Sequence, residues 1–129
     1  MSERKQVLGE PLIINGQKLS LSKAVRAGDF IFFTGQIPIV DGKVVTKGDI
    51  KSQTKIVLDQ IGNTLSEIGC HYSDIVKSMV WLKNKEDFSD FNKVYQEYFP
   101  ENPPARSAVI NELLVDVKVE IEVIVYDKR

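Results

Sequence analysis

Two adjoining segments decide the fold: Pro103-Pro104-Ala105-Arg106-Ser107-Ala108-Val109-Ile110, and then Val117-Lys118-Val119-Glu120-Ile121-Glu122-Val123-Ile124-Val125-Tyr126. In the second, Val117, Val119, Ile121, Val123 and Val125 alternate with Lys118, Glu120, Glu122, Ile124 and Tyr126. A period of two is that of a strand, so the valines share one sheet face and both glutamates share the other. The first segment reads as a strand from Arg106 to Ile110, entered through prolines that restrict the backbone ahead of the arginine. An arginine and a glutamate brought together over a sheet can hold a small carboxylate and a water molecule.

Working outward, Ile75 to Lys83 reads as a further strand. Its expected faces are Val76, Ser78, Val80 and Leu82 on one side and Ile75, Lys77, Met79 and Trp81 on the other. Between it and the last two strands, Phe88, Phe91, Tyr95 and Phe99 recur at helical spacing, with Asn84 as the expected cap and Asp87 in the first turn. Pro100, Pro103 and Pro104 forbid continuation of that helix. Upstream, Thr54, Leu58, Ile61, Leu65 and Ile68 form the stripe of a longer helix over 50–68, with Asp49 as N-cap and Gly69 at its end. Phe30 to Thr34 is aromatic, β-branched and glycine-bounded, as a buried strand is. Ser22 to Val25 reads as a short strand, Val7 to Ile14 as an apolar start broken by Gly9 and Pro11, and Asn15-Gly16 and Asp41-Gly42 as turns. Two helices and about six strands give an α+β layer, a mixed β-sheet with both helices packed on one face. The other face, carrying Lys77, Met79, Trp81, Ile124 and Tyr126, then needs cover, which a subunit interface can supply.

The bulk properties narrow the function. The 129 residues, 43% hydrophobic and 27% charged, read as one globular domain over 1–129. A net charge of −1 lacks the basic surplus of a nucleic-acid binder, so no nucleic-acid partner is expected. No apolar run is long enough for a bilayer and the N-terminus has no apolar signal core, so no membrane partner and a cytoplasmic location are expected. Cys70, the one cysteine, fits a reducing compartment. His71 beside it has no second histidine, and adjacent residues of a strand point apart, so neither a zinc site nor a Cys–His nucleophile is expected.

Pro104-Ala105-Arg106-Ser107 followed by the Val-Glu-Ile-Glu strand resembles the signature of the reactive intermediate deaminase (Rid, or YjgF) family. Thr34-Gly35-Gln36-Ile37-Pro38 is similar to that family's Ser-Gly-Gln-Ile-Pro turn, and Asp74-Ile75-Val76-Lys77 with Phe88, Phe91-Asn92, Tyr95 and Phe99 is similar to its middle. The resemblance implies a chorismate-mutase-like fold, a homotrimer with active sites between subunits, and hydrolysis of reactive 2-imino acids of the 2-aminoacrylate or 2-iminopropanoate type to 2-keto acids and ammonia. It implies Arg106 as substrate-carboxylate clamp and Glu120 as the water-associated acid. It places Thr34, Gly35, Ala108 and Asn92 at the substrate, and implies no metal and no organic cofactor. Three departures stand out. Ala108 falls where many members carry cysteine. Leu21 falls where members active on small imino acids carry tyrosine, leaving Tyr72, Tyr95 and Tyr98 as possible replacements. The stretch from Arg106 to Glu120 is one residue short, as a loop deletion around Leu113 to Val115 would make it. A non-catalytic small-molecule-binding or regulatory trimer is the alternative, with an endoribonuclease or translation inhibitor behind it.

Overall fold

The computed structural model describes residues 4–128. Its centre is a six-stranded sheet built from β1 (Gln6–Leu8), β4 (Ala24–Ala27), β5 (Phe30–Phe33), β8 (Ile75–Leu82), β9 (Ala105–Ile110) and β10 (Val119–Tyr126). The spatial order is β1-β4-β5-β10-β8-β9, antiparallel except for the parallel pair β8–β9. Two small hairpins complete the β structure: β2 (Ile13–Ile14) with β3 (Gln17–Lys18), and β6 (Ile39–Val40) with β7 (Lys43–Val44). Both turn through the residues expected to do so. Asn15 and Gly16 have φ of 51° and 77°, Asp41 and Gly42 have φ of 53° and 75°, and two consecutive left-handed residues match the twist of a tight hairpin.

The expected α+β layer is the observed one, with both helices on one sheet face. Helix α1 (Ile50–Glu67) starts where Asp49 accepts a hydrogen bond from the Ser52 N–H at 2.9 Å. It ends at Gly69, φ 76°, with the Cys70 N–H donating to the Leu65 carbonyl and the Gly69 N–H to that of Ser66. These two bonds satisfy carbonyls that the last turn would otherwise leave unpaired. Its buried apolar stripe, Ile50, Val57, Leu58, Ile61 and Leu65, packs in one core with Ile31 and Phe33 of β5, Val80 and Leu82 of β8, and the four alternating apolar residues of β10, and Thr54 of the expected stripe is buried as well. Helix α2 (Phe88–Tyr98) adds Phe91, Val94 and Tyr95. No helix among the described residues is long and apolar enough to cross a membrane.

Three local expectations are corrected. Asn84 does not cap the second helix. A 3-10 turn over Lys85–Asp87 intervenes, α2 begins at Phe88, and Asn84 caps nothing with its side chain. On β8 the alternation slips. Ile124 pairs with Lys77 but Val125 with Ile75, so Val76 is the extra residue of a bulge, and Ile75 rather than Val76 is buried. The strand expected from Ser22 instead runs from Ala24 to Ala27, because its pairing with β5 is set by the tight Gly28-Asp29 turn. Beyond that slip, Lys77, Met79 and Trp81 share the helix-free face with Ile124 and Tyr126, as read from the sequence. On that face Phe30, Phe32 and Tyr126 remain 41%, 45% and 42% exposed.

Candidate active site

Arg106 is the second residue of β9, an edge strand of the sheet. It lies opposite Ser78, a fully buried residue of the helix-covered face, and its side chain therefore turns toward α2. There the guanidinium carbon is 4.8 Å from the ring centre of Tyr95 and 5.7 Å from those of Phe88 and Phe91. The stripe Phe88-x-x-Phe91-x-x-x-Tyr95 is thus more than core packing, since its polar-side edge forms a three-ring box for a cation. Tyr95 is fixed in turn, its hydroxyl 2.9 Å from the Ser78 Oγ. Burial raises the Tyr95 pKa, so the phenol stays protonated. Among the described residues Arg106 makes no ion pair, and its donors border a 450 Å³ pocket shared with Asn92, Gln96, Phe99, Pro103 and Pro104. The Asn92 Oδ1 in this region is buried without a hydrogen-bond partner.

Glu120 belongs to the other face. It pairs with Trp81 on β10 and stands beside Glu122 on the helix-free side. Its pKa is raised, first by burial and then by the like charge of Glu122. A raised carboxylate is a better proton acceptor near neutral pH. Gly35 lies directly against it, since a Cβ built on Gly35 would collide with the Glu120 carboxylate. Backbone conformation does not demand glycine here, because Gly35 is not among the residues of positive φ. The sequence reading of Gly35 as a tight-turn residue is therefore replaced by close approach to the acid.

The chain around Gly35 is well held. Gln36 bridges to Ile121 by backbone hydrogen bonds of 2.8 and 3.0 Å, which ties the segment next to Gly35 to β10. The side chain of Gln60 on α1 accepts from the Ile39 N–H at 2.6 Å and donates to the Ile37 carbonyl at 2.9 Å. The Thr34 N–H donates to the Lys23 carbonyl at 3.0 Å. Ser78 and Gln60 were not singled out as site residues by sequence, and Phe88 and Tyr95 were not expected to hold the arginine. Only the helical spacing of Phe88 and Tyr95 carried a trace of their roles.

Two groups of site residues thus emerge. Arg106, Ala108 and Asn92 belong to the β9–α2 edge. Thr34, Gly35 and Glu120 belong to the helix-free face. A single protomer does not bring Arg106 and Glu120 together, because the register puts them on opposite sides of the sheet. The register itself is continuous from Val119 to Ile124, so the short connection after Ile110 lies outside both strands and leaves Glu120 in phase. None of the three tyrosines supplies a phenol beside Glu120. Tyr72 donates to the Leu58 carbonyl at 2.6 Å, Tyr98 to Asp59 at 2.7 Å, and Tyr95 to Ser78. Leu21 is 42% exposed.

A two-helix layer on one face of a mixed sheet, with an arginine on an edge strand and a glutamate beside a Gly-Gln-Ile-Pro turn, defines a class of small α+β domains. The family model described as endoribonuclease L-PSP matches residues 17–127. The chain is 49% identical over 108 residues to a RutC family protein of Pyrococcus abyssi, covering 81% of this chain and 84% of that one. It is 35% identical over 106 residues to Reactive Intermediate Deaminase A, chloroplastic, of Arabidopsis thaliana, covering 80% of this chain and 56% of the other. The crystal structure of yeast Mmf1 superposes with a TM-score of 0.86 at 33% identity, covering 96% of this chain and 99% of that one. The chain belongs to the Rid/YjgF family.

Proposed function

We propose that this protein is an imine deaminase, hydrolysing reactive 2-imino acids to 2-keto acids and ammonia. The observation that carries the reading is a guanidinium held by three aromatic rings, without an ion pair among the described residues, at the edge of an open pocket. Such a group grips a carboxylate by two parallel charge-assisted hydrogen bonds and stays charged at any physiological pH. The deaminase name of the Arabidopsis relative supports the same chemistry.

The site is completed between copies of the chain. Arg106, Asn92 and the Ala108 backbone of one protomer meet Glu120, Thr34 and Gly35 of another, a reading that the opposite-face placement of Arg106 and Glu120 supports. A homotrimer is the assembly in this reading, and the exposed Phe30, Phe32 and Tyr126 supply apolar surface for it. Light scattering should report three copies at micromolar concentration; a 14.6 kDa particle would remove the shared site. The setting is cytoplasmic in this reading, although the Saccharomyces cerevisiae relative MMF1 is described as mitochondrial.

In the reaction, Arg106 holds the substrate carboxylate. Glu120 takes a proton from water as the water oxygen adds to the imine carbon, the π pair of C=N moves to nitrogen, and the protonated Glu120 returns that proton to the nitrogen. Glu120 then takes the proton of the carbinolamine hydroxyl and passes it to the nitrogen, which leaves as ammonia as the C–O π bond forms. Water is consumed, one keto acid and one ammonia are released, and the glutamate ends as it began. The unpartnered Asn92 Oδ1 can accept from the substrate nitrogen. Thr34 and the Gly35 and Ala108 backbones line the water and nitrogen positions. Proton transfer and positioning are all that water addition to an imine needs, so the reading calls for no cofactor.

The test is the release of keto acid from freshly generated 2-iminopropanoate by the wild-type chain and by Arg106→Ala. Loss of a bidentate contact worth roughly 2–4 kcal/mol should slow the variant at least about 30-fold. Equal rates would sink the clamp.

A further inference from the structure

Beyond the carboxylate clamp, the same edge strand carries an apolar cavity of 210 Å³, lined by Leu82, Lys85, Phe88, Ala108, Val109 and Ile110. We infer that this cavity receives the substrate's side chain and selects 2-imino acids with apolar side chains of branched or aromatic type over the alanine-derived imine. The inference rests on the deaminase reading and adds the substrate class.

Three observations carry it. The cavity adjoins the clamp, because Phe88 forms one wall of it and also faces the Arg106 guanidinium at 5.7 Å. Ala108 lies two residues along β9 from Arg106 and on the same face, about 6.6 Å away by strand geometry. A substrate gripped at its carboxylate bridges that gap with roughly four carbon–carbon bonds, more than an imine derived from alanine has. Finally, the wall is apolar where the reaction has no use for apolar groups. Leu82 is fully buried at its floor, Ala108 contributes a small side chain, and Ile110 is 47% exposed at its mouth. Lys85 is the one charged lining residue, and its ammonium opposes a cationic side chain. Each methylene moved from water into such a wall raises affinity severalfold, so three extra carbons give at least about a tenfold preference.

The experiment uses the full chain in two arms. Imines derived from leucine and from alanine are generated in situ by an amino-acid oxidase, with semicarbazide trapping what remains. Separately, 4-methyl-2-oxopentanoate, pyruvate and 2-oxoglutarate are titrated by calorimetry. The expected results are a kcat/KM at least about tenfold higher for the leucine-derived imine and a matching order of Kd, with both preferences shrinking severalfold or more in Ile110→Glu. Hydrolysis of both imines at equal kcat/KM, or binding of pyruvate or 2-oxoglutarate as tightly as the branched keto acid, overturns the side-chain pocket and leaves the deaminase reading standing. No hydrolysis above the spontaneous rate, with the branched keto acid still preferred and the preference still lost in Ile110→Glu, overturns the deaminase reading and supports the pocket.

Discussion

On the helix-covered side of the sheet, one chain alone encloses Arg106 with Phe88, Phe91 and Tyr95 and ties the last of these to Ser78. On the helix-free side, Glu120 is only half-buried, with Gly35 against it and with Phe30, Phe32 and Tyr126 of the same face still open to solvent. The first region is finished by intrachain packing. The second has its polar group placed by the chain and its surroundings left open. In the deaminase reading a binding group and a proton-transfer group are made separately, each by the part of the fold best suited to it, and joined by assembly.

The strongest way to break this comparison is to cut each face at one large ring. Phe91→Ala removes a fully buried side chain, and about 3–5 kcal/mol of stability should go with it, independent of protein concentration in urea unfolding. Trp81→Ala on the helix-free face should cost the protomer far less and show its effect on dilution, as loss of assembly. A Trp81→Ala penalty that is large and independent of concentration would mean the two faces are equally self-sufficient.

Next in size is the pair of acids. Glu120→Gln keeps the shape and loses the base, so kcat should fall about 100-fold while Kd for a keto acid changes little. Glu122→Gln, on the same face, should change kcat less than about threefold. If Glu122→Gln were the slower enzyme, the proton-transfer role would pass to it.

Tyr95→Phe sharpens the comparison within the covered face. It keeps the ring under Arg106 and strands the buried Ser78 hydroxyl, costing about 1–2 kcal/mol of stability. Turnover should stay within about threefold, whereas Tyr95→Leu should lower turnover as well, because the guanidinium loses a wall.

The smallest effect is on pH. A raised carboxyl pKa in the folded protein means that the folded state binds the proton more tightly than the unfolded one. The stability linked to it is complete below the ordinary Glu range and is lost as pH rises through the raised value. Urea midpoints measured between about pH 4 and pH 7 should therefore fall more steeply in the wild type than in Glu120→Gln. Parallel curves would show that Glu120 is as well solvated as an ordinary surface acid.

Much of this was legible in the sequence, and the failures have physical causes. The period of two in Val119 to Tyr126 and the helical stripe from Thr54 to Leu65 each reflect a single burial surface, so pattern alone located the elements. The bulge at Val76 was not legible, because it depends on how Ile75 meets Val125 in another strand. Asn84 looked like a cap by residue type, yet a 3-10 turn uses the positions that the helix would have needed. Arg106 and Glu120 stood out as residues, whereas their opposite sides of the sheet follow from the parallel pairing of β9 with β8, which no local pattern encodes. The box around Arg106 was hidden for the same reason: core aromatics and cation-facing aromatics have the same spacing.

The contact between Gly35 and Glu120 has a consequence for heredity. A methyl group at position 35 would occupy the space of the acid, so the two positions, 85 residues apart in the chain, cannot drift independently. Among descendants of this sequence, a change from glycine at 35 should be found with a shortened or lost acid at 120, and an intact glutamate should keep its glycine. In the deaminase reading, a lineage that escapes the pairing will have given up the reaction or moved it to another carboxylate.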